Sequence, residues 1–398
     1  MTDGRARGNE LSWLVALLLA SMSLRPQLIG VQPLLPRIQD DLGISHAVAG
    51  LFQTIPVACL GLFAPVAGIV AARLGLRGAM GVMVAVIAAV GALRAVVPPA
   101  WALLLLTFPI GVGMGIAGAL PPTVTKARLP HRAALATSAY MVGLQVAAVV
   151  PAAVAVPLAD ALGSWRDTLL LWAGLTGLLL LGWIRLTREA PGAAPPERPP
   201  TAPLPWRSPL AWALLLVFAL VSIVYYGLGA WLPDAYTERG WSDGAAGALV
   251  AVLNAANLGT SMTVPFVVNR FGTRRGWLLA SAALATVGSL GFVLLPGGAW
   301  AWAVLVGMSL SMCFTITLLI PLDATRRPGE VGAVVGMMLG GGYVLAAIAP
   351  FGLGAARDAT GSFATSLWLI VAFALVWLAL ATVFTPGRLR AGFTPRRP

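Results

Sequence analysis

Arg25 is a charged residue inside the first long apolar segment of the chain, residues 11–36. If this segment is helical, Arg25 lies roughly 20 Å along its axis, near the middle of a bilayer. A charge at that depth costs about 2.5–3.5 kcal/mol on insertion scales, so its presence needs a physical reason. The planar guanidinium suits a carboxylate or a small oxyanion, because it donates two parallel hydrogen bonds.

Two interpretations of Arg25 are open. In the first it is structural, paired with a buried acid or with backbone carbonyls. All 14 Asp and Glu residues fall in loops, in tails or at helix ends, however, and none is central in an apolar segment. The charge is then met by carbonyls, water, an inorganic anion or a bound solute. We favour the second interpretation, in which Arg25 faces a cavity and contacts an anionic or strongly polar solute.

Further polar residues are spaced so that they share helix faces. Ser21 lies four residues before Arg25 and Gln32 seven after it, which predicts one polar face on a continuous helix. Gln32 either binds solute or is hydrated at the outer boundary. Asn254 and Asn257 are neighbours on another segment, and they either line a cavity or join helices by hydrogen bonds. The same two interpretations apply to Gln53, Tyr140, Gln145, Tyr226 and Tyr343.

Residue patterns for enzyme chemistry or metal binding are missing from the sequence. His46 and His131 stand at predicted helix ends, without neighbours that suggest a metal site. Cys59 and Cys313 lie in apolar segments, which makes a disulfide framework improbable. No catalytic triad or phosphate-binding loop appears. We therefore expect neither a catalytic centre nor a metal or other cofactor.

The elements that must position these residues follow from composition. Of 398 residues, 59% are apolar and 10% are charged, whereas soluble domains carry about 25% charged residues. The lipid bilayer must therefore be the main solvent. The net charge of +12 comes from basic residues at the ends of apolar runs, which indicates membrane topology and not nucleic-acid binding.

The apolar segments predict an all-α membrane protein of twelve transmembrane helices in two pseudo-symmetric six-helix bundles. Each segment is long enough to cross a bilayer, which takes roughly 20 residues. Their approximate bounds are 11–36, 46–71, 78–97, 101–125, 133–157, 166–187, 209–233, 244–268, 277–296, 300–322, 331–355 and 363–385.

The loops predict the orientation. With the N-terminus inside, twenty Lys and Arg residues fall on the inner side and four on the outer side. This bias predicts that both termini are cytoplasmic. The first segment carries Arg25 and has no small-residue cleavage site, so we expect it to be retained as a helix. The abundance of Ala, Gly, Pro and Arg is typical of a GC-rich bacterial genome, and we expect a bacterial inner-membrane protein.

A Pro-rich stretch and an internal repeat divide the chain. Residues 188–208 form a cytoplasmic linker that cannot build a core, between bundles at 1–187 and 209–398. Residues 35–51 align without gaps to 232–248, and 72–77 align to 269–274, both at an offset of 197. Two matches at one offset indicate parallel structural repeats, for which a midplane binding site between the halves is expected.

The loop at 68–77, Gly-Ile-Val-Ala-Ala-Arg-Leu-Gly-Leu-Arg, resembles the signature loop of the major facilitator superfamily. The family's Asp position is occupied by Ala72 here and by Asn269 in the second repeat, so we expect no Asp-based lock. The Gly-rich run Gly111–Pro121 is similar to the family's fourth helix. The matching positions are Gly68, Arg73, Gly75 and Arg77, and the second loop adds Arg270, Gly272 and Arg274.

A narrower resemblance is to the cyanate/nitroimidazole transporter subfamily. It depends on Leu24-Arg25-Pro26 followed by the run 30–36, and on the run 111–115 with 122–126. The resemblance implies a monomeric carrier of a small molecule that works by alternating access, with the two loops acting in gating. Arg73 or Arg77 is expected to pair with Asp323 or Glu330.

Two other classes of function fit the sequence less well. Multidrug efflux would be favoured by a wide aromatic cavity bearing an acid, and no central acid is present. A membrane-embedded sensor or enzyme would need a soluble output domain or a polar catalytic cluster, neither of which the sequence indicates. Transport of a small, anionic or strongly polar solute, coupled to a gradient or facilitated, is the function that the sequence favours.

Overall fold

The computed structural model describes residues 2–187, 203–268, 270, 273–324 and 328–391, and every regular element in these ranges is helical. The chain forms two compact units. The first contains the described residues of 1–44 and 55–187, and the second contains 45–54 and 203–391.

Nine α-helices are present in the described residues 2–187. They are α1 (Thr2–Met22), α2 (Pro26–Ile29), α3 (Leu35–Leu42), α4 (His46–Phe63), α5 (Ala67–Val96), α6 (Ala100–Gly118), α7 (Pro121–Arg128), α8 (Ala133–Leu162) and α9 (Trp165–Leu186). Helix α4 starts in the second unit and ends in the first.

Eight further helices build the remainder of the described chain. They are α10 (Pro209–Thr237), α11 (Asp243–Val267), α12 (Arg274–Leu294), α13 (Ala299–Ala324), α14 (Pro328–Ala346), α15 (Ile348–Thr360), α16 (Phe363–Ala381) and α17 (Pro386–Ala391).

Within the described chain, eleven helical stretches are long and apolar enough to cross a membrane. One of them, His46–Val96, has 51 residues. An α-helix of that length measures about 76 Å, more than twice the roughly 30 Å of bilayer hydrocarbon, so this stretch contains two crossings. It holds the two predicted segments 46–71 and 78–97. The expected loop between them is reduced to one non-helical residue, Gly75.

The same helix pairings recur in each unit. In the first unit α1 packs against α8 and α9, and α5 packs against α6 and α9. In the second unit α10 packs against α14 and α16, and α12 packs against α13 and α16. Each pair in one set has its counterpart in the other, in chain order. The internal sequence repeat is therefore also a repeat of packing.

A further repeated motif starts the last long helix of each half. Gly163 ends α8 at φ 71°, and Gly361 ends α15 at φ 74°, both in the left-handed region that favours glycine. Ser164 and Ser362 follow, and each Oγ accepts a hydrogen bond from the backbone N–H two residues on, at 3.1 and 3.2 Å. Such caps satisfy backbone donors that the first helical turn leaves open.

Large apolar side chains are exposed along the outside of both units. Trp101 is 70% exposed, Leu105 64% and Ile348 69%. Apolar exposure on this scale is unfavourable in water but suits contact with lipid tails. The side chains buried inside each unit include Trp183 and Trp377, both at 0% exposure.

Candidate functional site

The first membrane segment is broken next to Arg25. Helix α1 ends at Met22 and α2 starts at Pro26, with Arg25 as its N-cap residue. Proline has no N–H with which to bond a carbonyl four residues back, but it fits the first position of a new helix. The Arg25 carbonyl accepts hydrogen bonds from the N–H groups of Leu28 at 3.0 Å and Ile29 at 2.9 Å. Arg25 itself is partly exposed.

The continuous helix assumed for Ser21, Arg25 and Gln32 is wrong. The helix is broken between Met22 and Pro26, and the 3-10 turn at Gln32–Leu34 has a different rotation per residue, so the shared face that depended on a continuous helix no longer follows. Ser21 is 0% exposed and its Oγ donates to the Leu17 carbonyl at 2.7 Å. Gln32 is 1% exposed.

Arg94 lies beside the break, in α5. Arg94 is only 1% exposed, although it lies near the end of the third apolar segment, where a long basic side chain can extend to water. Its Nη2 donates to the backbone carbonyl of Gln27 at 3.0 Å and to Gln27 Oε1 at 2.7 Å. The sequence contained a signal for this contact, because Pro26 can interrupt α1 and leave backbone groups in need of partners.

Helix α8 approaches the end of α1 closely. A Cβ on Gly143 would lie 2.6 Å from the Leu18 carbonyl oxygen and 2.9 Å from Ser21 Cβ. Tyr140 and Gln145 stand three residues before and two residues after this glycine, and both are partly exposed. The two predicted site residues on α8 therefore belong to the helix that packs along α1 in the first unit.

The second unit assembles a cluster of tyrosines. Tyr225 Oη donates to Asn254 Oδ1 at 2.9 Å, and Asn254 Nδ2 donates to the Val250 carbonyl at 2.9 Å. The rings of Tyr225 and Tyr226 are 4.9 Å apart between centroids, and those of Tyr226 and Tyr343 are 6.3 Å apart. The structure thus links Tyr226 to Asn254 through Tyr225, which the sequence had not singled out, and places Tyr343 directly beside Tyr226.

The candidate residues of this unit differ in their exposure. Tyr226 is 2% exposed and Asn254 3%, whereas Asn257 and Tyr343 are partly exposed. Gln53 is 0% exposed in the part of α4 that belongs to this unit. Its neighbour Thr54 donates through Oγ1 to the Ala347 carbonyl at 2.6 Å and accepts from the Phe351 N–H at 3.2 Å.

Gly75 is the turning point of the signature loop. Its φ of 71° and ψ of 163° are accessible almost only to glycine. Arg73 is exposed and Gly68 has no neighbouring atom where a Cβ would stand. Arg77 Nε donates to Thr187 Oγ1 at 3.2 Å and its Nη2 to the Ile184 carbonyl at 3.0 Å. Arg77 is thereby attached to the end of α9.

In the second loop, Arg274 Nε lies 2.7 Å from Asp323 Oδ2. Asp323 is thus paired within the second unit, whereas the expected pairing of Arg73 or Arg77 with Asp323 or Glu330 would join the two units and stays a prediction. Arg270 is exposed, and Gly272 lies outside the described residues.

The residue types that bind metal ions do not cluster in the described part of the chain. No group of three or more His, Cys, Asp or Glu residues there is close enough to hold a metal ion. Cys59 and Cys313 are both buried as free thiols.

Comparison with known proteins supports the resemblance seen in the sequence. The sequence pattern of the Major Facilitator Superfamily matches residues 13–350 of the chain. The chain is 31% identical over 379 residues to the Cyanate transport protein CynX of Escherichia coli (strain K12), covering 94% of this chain and 97% of that protein. It is 29% identical over 369 residues to the 2-nitroimidazole transporter of the same organism, covering 92% and 94%.

The fold has a counterpart among solved structures. The chain superposes with a TM-score of 0.77 on a bacterial homolog of the human lysosomal transporter Spinster, covering 98% of this chain and 99% of that one. The two sequences are 15% identical, so this similarity shows a shared fold and nothing about function. The family match agrees with the apolar exteriors of the described helices. The chain belongs to the Major Facilitator Superfamily and is a multi-pass membrane transporter, not an enzyme.

Proposed function

We propose that the chain carries a small anionic or strongly polar solute across the bacterial cytoplasmic membrane by alternating access, and that Arg25 binds the solute's charge. The observation that carries the proposal is the position of Arg25, partly exposed at a helix break within a membrane segment. Discontinuous membrane helices are a frequent place for substrate sites in transporters, because irregular backbone there lines a cavity.

The relatives support this solute class. One is named for cyanate, a small anion, and another for 2-nitroimidazole, a small polar heterocycle. A planar guanidinium can donate two parallel hydrogen bonds to the oxygens of a carboxylate, an oxyanion or a nitro group. We extend the substrate site to Gln32, Gln53, Tyr140, Gln145, Tyr226, Asn254, Asn257 and Tyr343.

The tyrosine cluster favours a second candidate substrate class within the same function. Tyr225 and Tyr343 are partly exposed, and both contact the buried Tyr226. Aromatic rings bind flat, polarisable solutes by stacking and edge contacts. A nitro-heterocycle would use this surface, whereas a small linear anion would depend chiefly on Arg25.

Transport by purified protein in proteoliposomes tests the proposal. The probes are cyanate, formate, nitrate and 2-nitroimidazole, each measured with Arg25→Ala, Arg25→Lys and the wild-type protein. We expect Arg25→Ala to lower transport of the preferred probe about a hundredfold and Arg25→Lys about tenfold, since a charge-assisted hydrogen bond contributes about 1.5–3 kcal/mol.

Arg37→Ala is the matched control. Arg37 lies in α3, directly after the predicted segment 11–36, and its Nη1 pairs with Asp160 Oδ1 at 2.7 Å in a partly exposed position. The control should transport normally, because exposed pairs contribute little. Near-normal transport of every probe by Arg25→Ala, with intact membrane insertion, would refute the role of Arg25.

Energy coupling needs a separate measurement. An anion that enters a negative-inside cell opposes about 2.3 kcal/mol per charge per 100 mV. We propose uptake by exchange or facilitation, because no apolar segment has a central titratable acid that could carry a proton. We also propose that the protein acts as a monomer. Counterflow with and without a pH gradient checks this, and strong dependence on the gradient would instead indicate proton symport.

A further inference from the structure

A buried cation lies next to the break in the first membrane segment. Arg94 is 1% exposed, and all three of its hydrogen bonds in the described chain go to neutral groups. Two reach Gln27, and the third runs from Nη1 to Thr107 Oγ1 at 3.3 Å. Its Nε has no hydrogen-bond partner among the described residues. A buried arginine without a carboxylate is expensive, and the groups that it contacts indicate what it does.

Gln27 is held from two sides. Its backbone carbonyl and its Oε1 accept hydrogen bonds from Arg94 Nη2, and its Nε2 donates to the Leu169 carbonyl on α9 at 3.2 Å. These partners also decide the orientation of the amide, because the oxygen must face the guanidinium and the nitrogen the carbonyl. Gln27 is the second residue of α2, so the network grips the four-residue helix that Arg25 caps.

Two glycines allow this close approach. A Cβ on Gly91, one turn before Arg94 on α5, would lie 2.7 Å from Gln27 Nε2. A Cβ on Gly30, at the end of α2, would lie 2.8 Å from Trp172 Nε1 on α9. The short helix is therefore packed against α5 and α9 on surfaces that larger residues would push apart.

Arg94 and Arg25 have different environments and need different roles. Arg25 is partly exposed, whereas Arg94 is enclosed. A helix of four residues cannot hold its shape alone, because helix nucleation is unfavourable and its ends leave backbone groups unbonded. The guanidinium of Arg94 meets one of those groups, the Gln27 carbonyl, with a charge-assisted hydrogen bond.

We propose that Arg94 is a positioning residue that acts through Gln27 to hold the helix break in the shape that presents Arg25 to the solute. The proposal rests on the proposed substrate role of Arg25 and deepens it. Arg94 contacts no solute. By holding α2 through Gln27, it fixes the irregular backbone that carries Arg25.

Hydrogen–deuterium exchange of the purified full-length protein tests the structural half without any substrate. The reporters are the N–H groups of Leu28, Ile29 and Gly30, which bond to the Arg25 and Pro26 carbonyls. In Arg94→Lys a compact ammonium replaces the planar donor, and we expect these amides to exchange about tenfold faster, with α12 unchanged. Unchanged exchange at all three amides would overturn the proposal.

Arg166→Lys is the matched control for this experiment. Arg166 also binds backbone carbonyls near the end of α5, those of Val97 at 2.7 Å and Pro98 at 3.3 Å, and neither carbonyl belongs to α2. It should leave the exchange of Leu28, Ile29 and Gly30 unaltered. Faster exchange in both variants would indicate general loosening of the unit and would also overturn the assignment to Arg94.

Transport kinetics test the functional half, with cyanate and 2-nitroimidazole as probes. Arg94→Lys should raise KM about tenfold while the maximal rate per folded protein changes less than twofold. In an Arg25→Ala background the same substitution should have no further effect on KM, because the residue through which it acts is gone. A tenfold further rise in that background would show that Arg94 does not act through Arg25.

Gln27→Met keeps the proposal testable if Arg94→Lys does not fold. Methionine has nearly the size of glutamine but removes both side-chain hydrogen bonds and leaves the backbone carbonyl. It should raise KM in the same direction by a smaller factor, and an unchanged KM together with unchanged amide exchange would overturn the proposal. If Arg25→Ala transports normally while Gln27→Met still speeds exchange of the α2 amides, the substrate role of Arg25 fails and the structural role of Arg94 stands.

Discussion

Asp358, in the last turns of α15, caps the start of α4 at His46. Its Oδ1 lies 2.7 Å from His46 Nδ1 and accepts from the His46 backbone N–H at 3.1 Å, and its Oδ2 accepts from the Ala47 N–H at 2.8 Å. One carboxylate thus satisfies two of the donors that the first turn of a helix leaves open, from a position 312 residues away in the chain. The His46 ring is also packed against Trp231 and Phe363.

The Asp358 cap leads to a stability prediction. Asp358→Ala should lower the free energy of unfolding by about 1 kcal/mol, the usual effect of losing a capping side chain. Asp358→Asn should lower it less, because the amide oxygen can still accept one of the hydrogen bonds. Thermal unfolding in detergent measures both variants. Asp160→Ala serves as the control, since Asp160 is 61% exposed in its pair with Arg37 and should matter little.

Gly75 gives a prediction for the signature loop. Gly75→Ala should destabilise the protein by about 1–3 kcal/mol, because φ 71° with ψ 163° is strained for any residue with a Cβ. Gly75 is the one residue of α5 with non-helical φ and ψ, and it lies in the loop that we expect to act in gating. Transport should therefore also slow. Gly68→Ala, at a helical position with open space around it, should be neutral or slightly stabilising. Equal melting temperatures for the two variants would contradict the assigned geometry.

Gly307 lets α13 approach α11 closely. A Cβ there would collide with the Leu253 carbonyl oxygen, a backbone atom that cannot move aside alone. Gly307→Ala should therefore cost about 1–3 kcal/mol of stability. Gly336→Ala on α14, with no atom near the new methyl group, is the comparison and should unfold at the wild-type temperature.

The positions of the termini follow from the loop charges. Twenty of the basic residues should face the cytoplasm, together with both ends of the chain. A fluorescent protein that folds only in the cytoplasm should be bright when fused after Pro398, and alkaline phosphatase at the same site should be inactive. The reverse pattern would contradict the predicted orientation, which remains a prediction for this chain.

Features carried by single segments were predictable from the sequence. The all-helical membrane fold and the family follow from the length and hydrophobicity of each segment and from the loop at 68–77, and both are confirmed. Gly75 was identified through that loop, and its left-handed φ shows why glycine stands there. The break at Pro26 was missed, because proline inside a membrane helix is often tolerated without interruption.

Tertiary structure decided what depends on partners far apart in the chain. Arg94 lies near the end of an apolar segment, yet it is enclosed, and its guanidinium donates to Gln27, 67 residues earlier in the chain. The link between Tyr226 and Asn254 required Tyr225 to bridge two helices. Hydrophobicity and charge bias are local properties of the chain. The sequence by itself therefore determined which residues form the membrane helices and to which family the chain belongs. Hydrogen bonds and ring contacts depend on how helices pack, so only the folded structure decided which polar side chains meet.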